Sequence, residues 1–115
     1  MPAEAAAVGA SPVVTAADFA RHRVLRALRT RKRYRYVRPE VRATGDGFVI
    51  VSPCCSRNVD PAGGAIDIAW LERAGGRWRL HHRDHENRCW TRSAEGTLPA
   101  LLDLLCADPD RRFWP

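Results

Sequence analysis

Residues 65–84 read AIDIAWLERAGGRWRLHHRD. Two runs rich in branched and aromatic residues flank Gly75-Gly76, and two glycines supply the positive φ angles that a two-residue hairpin demands. The stretch predicts strands over Ala65–Arg73 and Arg77–Asp84. In that register Leu71 faces Leu80 and Arg73 faces Trp78. Glu72 faces Arg79 as an opposite-charge pair across the strands. A period of two places Ile66, Ile68 and Trp70 on one face and Leu71, Trp78 and Leu80 on the other.

Outward from the hairpin, more strand signals appear. Phe48–Pro53 is β-branched and follows a Thr44-Gly45-Asp46-Gly47 turn. Before the turn, Tyr34–Ala43 alternates, with Arg35, Val37 and Val41 on one side. Tyr34, Tyr36, Arg38 and Arg42 lie on the other. Pro39 suits an edge or a bend. Cys54–Gly64 reads as a loop, His85–Arg88 as a turn and Cys89–Arg92 as a fifth strand. Helices close both ends. Thr15 stands at an N-cap with Asp18 at N3, and Val14 and Phe19 occupy the staple positions. The helix runs from Ala16 to about Arg31, with Ala17, Ala20, Val24, Leu25 and Leu28 on its core face. Thr97 caps a second helix with Pro99 in its first turn and an apolar face of Leu98, Leu101, Leu102 and Leu105. Pro109 ends it, and Phe113-Trp114 is expected to dock on the sheet. The fold class is α+β: an N-terminal helix, a five-stranded antiparallel meander and a C-terminal helix packed on one face. Residues 15–115 form one domain, and residues 1–14 read as an arm, flexible or ordered by a partner.

The chain has 115 residues, enough for one core and too few for two. Its basicity is local. Residues 21–42, RHRVLRALRTRKRYRYVRPEVR, hold ten Lys or Arg and one acid, a net of +9. The rest has nine bases and twelve acids, a net of −3, within a total of +6. Lys32 is the only lysine, as GC-rich coding would favour, but coding bias does not explain why charge gathers in one stretch. No run is long enough to span a membrane. The first residues lack the basic and apolar regions of a signal peptide. A cytoplasmic protein with reduced thiols at Cys54, Cys55, Cys89 and Cys106 is therefore expected. Large apolar groups on both sheet faces suggest a homodimer, because two helices cover only one face.

The second half resembles a small bacterial family of unknown function. The likeness rests on WRLHHRDH (78–85) followed by Cys89-Trp90, and on the ending CADPDRRFWP (106–115). The stretch SPCCSRNVDPAGGAIDIAWLE (52–72) is also similar to small proteins encoded on integron gene cassettes. The resemblance implies a fold and a habitat and brings no catalytic residues or cofactor with it.

Three constellations could carry function. The basic stretch offers Arg23, Arg26, Arg29, Lys32, Arg33 and Arg38 to phosphates, with Tyr36 placed to stack on an unpaired base. Its partner would be nucleic acid or, as an adaptor, an acidic protein. The bland counterpart is a solvated helix face, and no finger, RNP or Walker sequence is present. The second constellation is Asp67, His82 and Asp84, which share a face in the hairpin register. They could hold a divalent metal or act in general acid–base chemistry, as in a small metal-dependent hydrolase or nuclease. A one-residue slip would scatter them. The third is Cys54, Cys55, His85 and Cys89 as metal ligands, although paired Cys-x-x-Cys spacing is missing. The basic stretch is the favoured reading, with no cofactor.

Overall fold

The structure, a computed structural model, describes residues 16–31, 34, 37–53 and 64–114. The proposed arm, the Thr15 cap and the Val14 staple partner lie outside the described residues. The element order is α1 (Ala16–Leu28), β1 (Glu40–Ala43), β2 (Gly47–Pro53), β3 (Ala65–Ala74), β4 (Arg77–Asp84), β5 (Cys89–Gly96) and α2 (Leu98–Ala107). All five strands join one antiparallel sheet in sequence order. It is the α+β meander that the sequence predicts.

The central hairpin has the anticipated register: Leu71 pairs with Leu80, Glu72 with Arg79 and Arg73 with Trp78. Gly75 and Gly76 have φ of +55° and +80°, the left-handed angles of a type I′ turn. Gly47 is required for another reason. A Cβ there would meet the Leu71 carbonyl oxygen at 1.9 Å, so only glycine lets β2 approach β3 so closely.

Two irregularities change the faces. Between β2 and β3 the register shifts after Ile50–Ala69, and Val51 then pairs with Asp67. The extra residue, Ile68, is a bulge. Ile66 and Ile68 consequently join Leu71 and Leu80 in a single core with Val24 and Leu28 of α1 and Leu101 and Leu105 of α2. The expected grouping of Ile66, Ile68 and Trp70 on one face is thereby corrected. Ile66 and Ile68 therefore lie beneath the helices and are not free for the homodimer contact expected of them. Trp70 instead stacks on His81, with ring centres 4.3 Å apart, on the helix-free side. The second shift lies between Leu80 and His81 where β4 meets β5.

The strand expected over Tyr34–Ala43 begins only at Glu40. Tyr34 has φ of +56°, which no strand accommodates. The cause is Arg31. Its Nη1 donates to the Leu28 carbonyl at 2.5 Å, and its Nη2 donates to the carbonyls of Tyr34 and Val37. The guanidinium thus caps the end of α1 and ties the carbonyls of Tyr34 and Val37 to it. Burying Trp114, Ile50, Ile68, Leu71, Leu80, Leu105 and Val24 completes the core. Each aliphatic residue among them contributes roughly 1.5–3 kcal/mol.

The C-terminus docks as expected, and Asp108 shows how. It sits just past α2 in the left-handed region (φ 43°, ψ 57°), where its own amide bonds back to Leu104. Its carboxylate accepts the backbone amides of Arg112 (2.7 Å), Phe113 (3.2 Å) and Trp114 (3.0 Å). The tail folds back, and the Trp114 indole donates to the Leu105 carbonyl at 3.0 Å.

Candidate functional site

The polar side of α1 follows from its periodicity. Val24 and Leu28 are buried, which turns Arg23, Arg26 and Arg29 to solvent. Arg38, before β1, is exposed as well. None of these four arginines pairs with an acid among the described residues. By contrast, the helix-free sheet face neutralises itself. Arg79 approaches Glu95 at 3.3 Å and Glu72 at 3.9 Å, and His81 bonds Glu72 at 3.0 Å.

A groove of about 790 Å³ runs between α1, the β3–β4 hairpin and the start of α2. His22, Arg23 and Arg26 of α1 and Arg73 of β3 supply its basic wall, and no described acid lines it. Phe19 and Trp78 supply aromatic surface. Phe19 is 68% exposed, so the staple that would explain it does not hide the ring. The Arg73 guanidinium lies 5.0 Å from the centre of the Trp78 ring, a cation–π contact. Phe48 stacks on the same indole at 6.1 Å and holds it in place.

The family model for a domain of unknown function, DUF3024, matches residues 12–115. The chain belongs to the DUF3024 family. No curated protein and no solved structure is significantly similar to it. The match spans every described element of the DUF3024 fold, from α1 to the docked tail.

Of the basic residues singled out from sequence, Arg23 and Arg26 are exposed on α1, Arg29 follows in the turn because the helix ends at Leu28 and not near Arg31, and Arg29 and Arg38 line one cavity. Lys32, Arg33 and Tyr36 lie outside the described residues. The groove adds His22, Arg73, Trp78 and Phe19. Only the charge of α1 was a visible signal, because the groove is assembled from three separate elements.

Asp67, His82 and Asp84 are not grouped to hold a metal in the DUF3024 sheet, although Asp84 is close enough to His82 to act on its charge. The Ile68 bulge sets Asp67 opposite Val51, while β3–β4 pairing stops at Ala69–His82. His82 Nδ1 bonds Ser93 Oγ at 2.6 Å, and its ring meets Phe113 edge-on at 6.2 Å. Burial, then Arg112, pushes its pKa below the ordinary histidine value. Asp84 is engaged by Asn87, whose amide and side chain donate to its two oxygens at 3.0 and 2.8 Å. Those bonds lower its pKa. Of the possible metal ligands, Cys54 and Cys55 lie outside the described residues, and Cys89 is exposed on β5. His85 occupies the β4–β5 turn, and burial followed by Arg83 lowers its pKa. Among the described residues, no three His, Cys, Asp or Glu side chains are grouped to hold a metal. No described helix is long and apolar enough to cross a membrane.

Proposed function

We propose that this domain is an interaction module that binds nucleic acid through the α1 face and the groove beside it. The observation that carries the reading is the groove itself: four cationic or basic side chains around two aromatic rings, with no described acid among them. Arginines gain affinity for phosphates by releasing counterions, and aromatic rings accept unpaired bases whatever their sequence. Arg23, Arg26, Arg29 and Arg38, with Lys32 and Arg33 from the same stretch, supply the charge. Phe19, Trp78 and Tyr36 supply stacking surface, which favours single strands.

The test is binding of single-stranded and double-stranded oligonucleotides over a range of salt. Affinity should fall steeply with salt. Replacing Arg23, Arg26 and Arg29 by Gln should flatten the log–log slope by up to about three units, since each phosphate contact contributes about 0.7–0.9. No binding at low salt overturns the proposal and passes the surface to an acidic protein partner. The likeness to cassette-encoded proteins adds a proposed habitat on mobile DNA, which the genes flanking the coding sequence would test.

A further inference from the structure

We infer that the cavity between the last turn of α1 and the chain entering β1 is a binding site for a phosphomonoester. It measures about 550 Å³, within the range of small-molecule pockets. Arg29, Arg31 and Arg38 line it, above a floor that includes Leu25, Leu28 and Val37. No described acid contributes to the wall.

Arg31 makes this more than a basic patch. It is 7% exposed, and every acceptor it reaches among the described residues is a neutral carbonyl. Its Nε is buried without a hydrogen-bond partner among the described residues. No described carboxylate comes within 4.0 Å of it. The Trp114 ring, centred 5.1 Å from the guanidinium carbon, gives partial compensation. Cys106 does not act as the counterion, because burial raises its pKa and keeps it a neutral thiol. A buried cation without a counterion is costly, and burial lowers the Arg31 pKa accordingly. An anion in the cavity removes that cost.

The chemistry of the wall narrows the class. Guanidinium forks match tetrahedral phosphate oxygens, and those of Arg29 and Arg38, with the unpartnered Nε–H of Arg31, suit a dianion better than a single carboxylate charge. The cavity exceeds the size of phosphate alone, and its apolar floor calls for an organic body on the ester. That ester could be a free small molecule or the 5′-phosphate of a strand. The site shares Arg29 and Arg38 with the nucleic-acid reading and is separated from it by Arg23 and Arg26, which do not line this cavity.

Calorimetry on the full chain at low salt tests it, with inorganic phosphate, phenyl phosphate and a trinucleotide with and without a 5′-phosphate. Phenyl phosphate should bind saturably and more tightly than inorganic phosphate. Arg29→Gln and Arg38→Gln should each weaken it by about tenfold, the worth of one charge-assisted hydrogen bond. Arg23→Gln/Arg26→Gln should not. Arg31 is left intact because it holds the turn. Binding of the 5′-phosphorylated trinucleotide but not its hydroxyl form supports the site and assigns it to a strand end. Binding of phenyl phosphate alone supports it as a site for a free ester. Absence of saturable phenyl phosphate binding, or equal binding by wild type, Arg29→Gln and Arg38→Gln, overturns it.

Discussion

The Arg31 guanidinium lies 5.1 Å from the centre of the Trp114 ring, which joins the basic turn after α1 to the last aromatic residue of the chain. Tyr34 closes the same cluster, its ring 5.8 Å from that of Trp114. The geometry of the basic stretch therefore depends on a tail distant in sequence. Trp114→Ala should cost about 3–5 kcal/mol by removing a fully buried ring. Trp114→Phe keeps most of the apolar area and loses the bond to the Leu105 carbonyl, a cost nearer 1 kcal/mol from that bond alone. Urea denaturation of both variants checks the order.

Asp108 anchors that tail. Asp108→Ala deprives three amides of their acceptor and places an ordinary side chain at φ 43°. A loss of about 2–4 kcal/mol is expected from the combined hydrogen-bond and backbone terms. Asp108→Asn tolerates the left-handed angle and should lose less. Equal midpoints for Asp108→Ala and wild type would refute the anchoring role.

The Gly75-Gly76 turn gives a third prediction. Replacing both glycines by Val forces β-branched residues into positive φ and should destabilise by more than about 1 kcal/mol. Neither position is crowded, so the cost reports backbone strain alone.

Those three sites differ in how far the sequence exposed them. The hairpin and the Thr97 cap, whose hydroxyl accepts the Ala100 amide at 3.3 Å, were legible because their signals are local. The element order followed from them. The Ile68 bulge was not legible: Ile66, Ile68 and Trp70 alternate without a break, and only packing against the helices decides where the alternation fails. Tyr34 was misplaced in a strand for a similar reason. Its conformation is set by Arg31 and Trp114, one of them eighty residues away. The charge of the candidate surface could be counted directly. The groove could not, since Phe19, Arg73 and Trp78 meet only after the sheet and helix pack.

The His82 environment makes stability depend on pH. Burial, followed by Arg112, lowers the folded-state pKa, while Asp84 and Asp108 oppose the shift and His81 adds to it. A histidine with a depressed folded pKa binds its proton more readily when unfolded. Its contribution is fully present above the unfolded value of about 6.5 and is lost as pH falls toward the lower folded value. The melting temperature should therefore drop between about pH 7 and pH 5, and His82→Gln should drop less. His85 is shifted the same way, so the His82→Gln variant should retain part of the slope. Parallel melting curves for the two proteins across that range would contradict this account.

Phe19 separates stability from binding. A ring 68% exposed on the first turns of α1 contributes little to the core. Phe19→Ala should change folding stability by no more than about 0.5 kcal/mol, the usual range for surface substitutions. Ala is also the better helix former, which offsets what little packing is lost. If the groove stacks an unpaired base, the same substitution should lower single-strand affinity by about 1–3 kcal/mol and leave duplex binding nearly unchanged. Arg23→Gln/Arg26→Gln should do the opposite and weaken both forms together, because phosphates are common to both. Measuring the two variants side by side distinguishes stacking from charge. A Phe19→Ala protein that melts like wild type and binds single strands like wild type would remove the aromatic wall from the proposal and leave electrostatics alone.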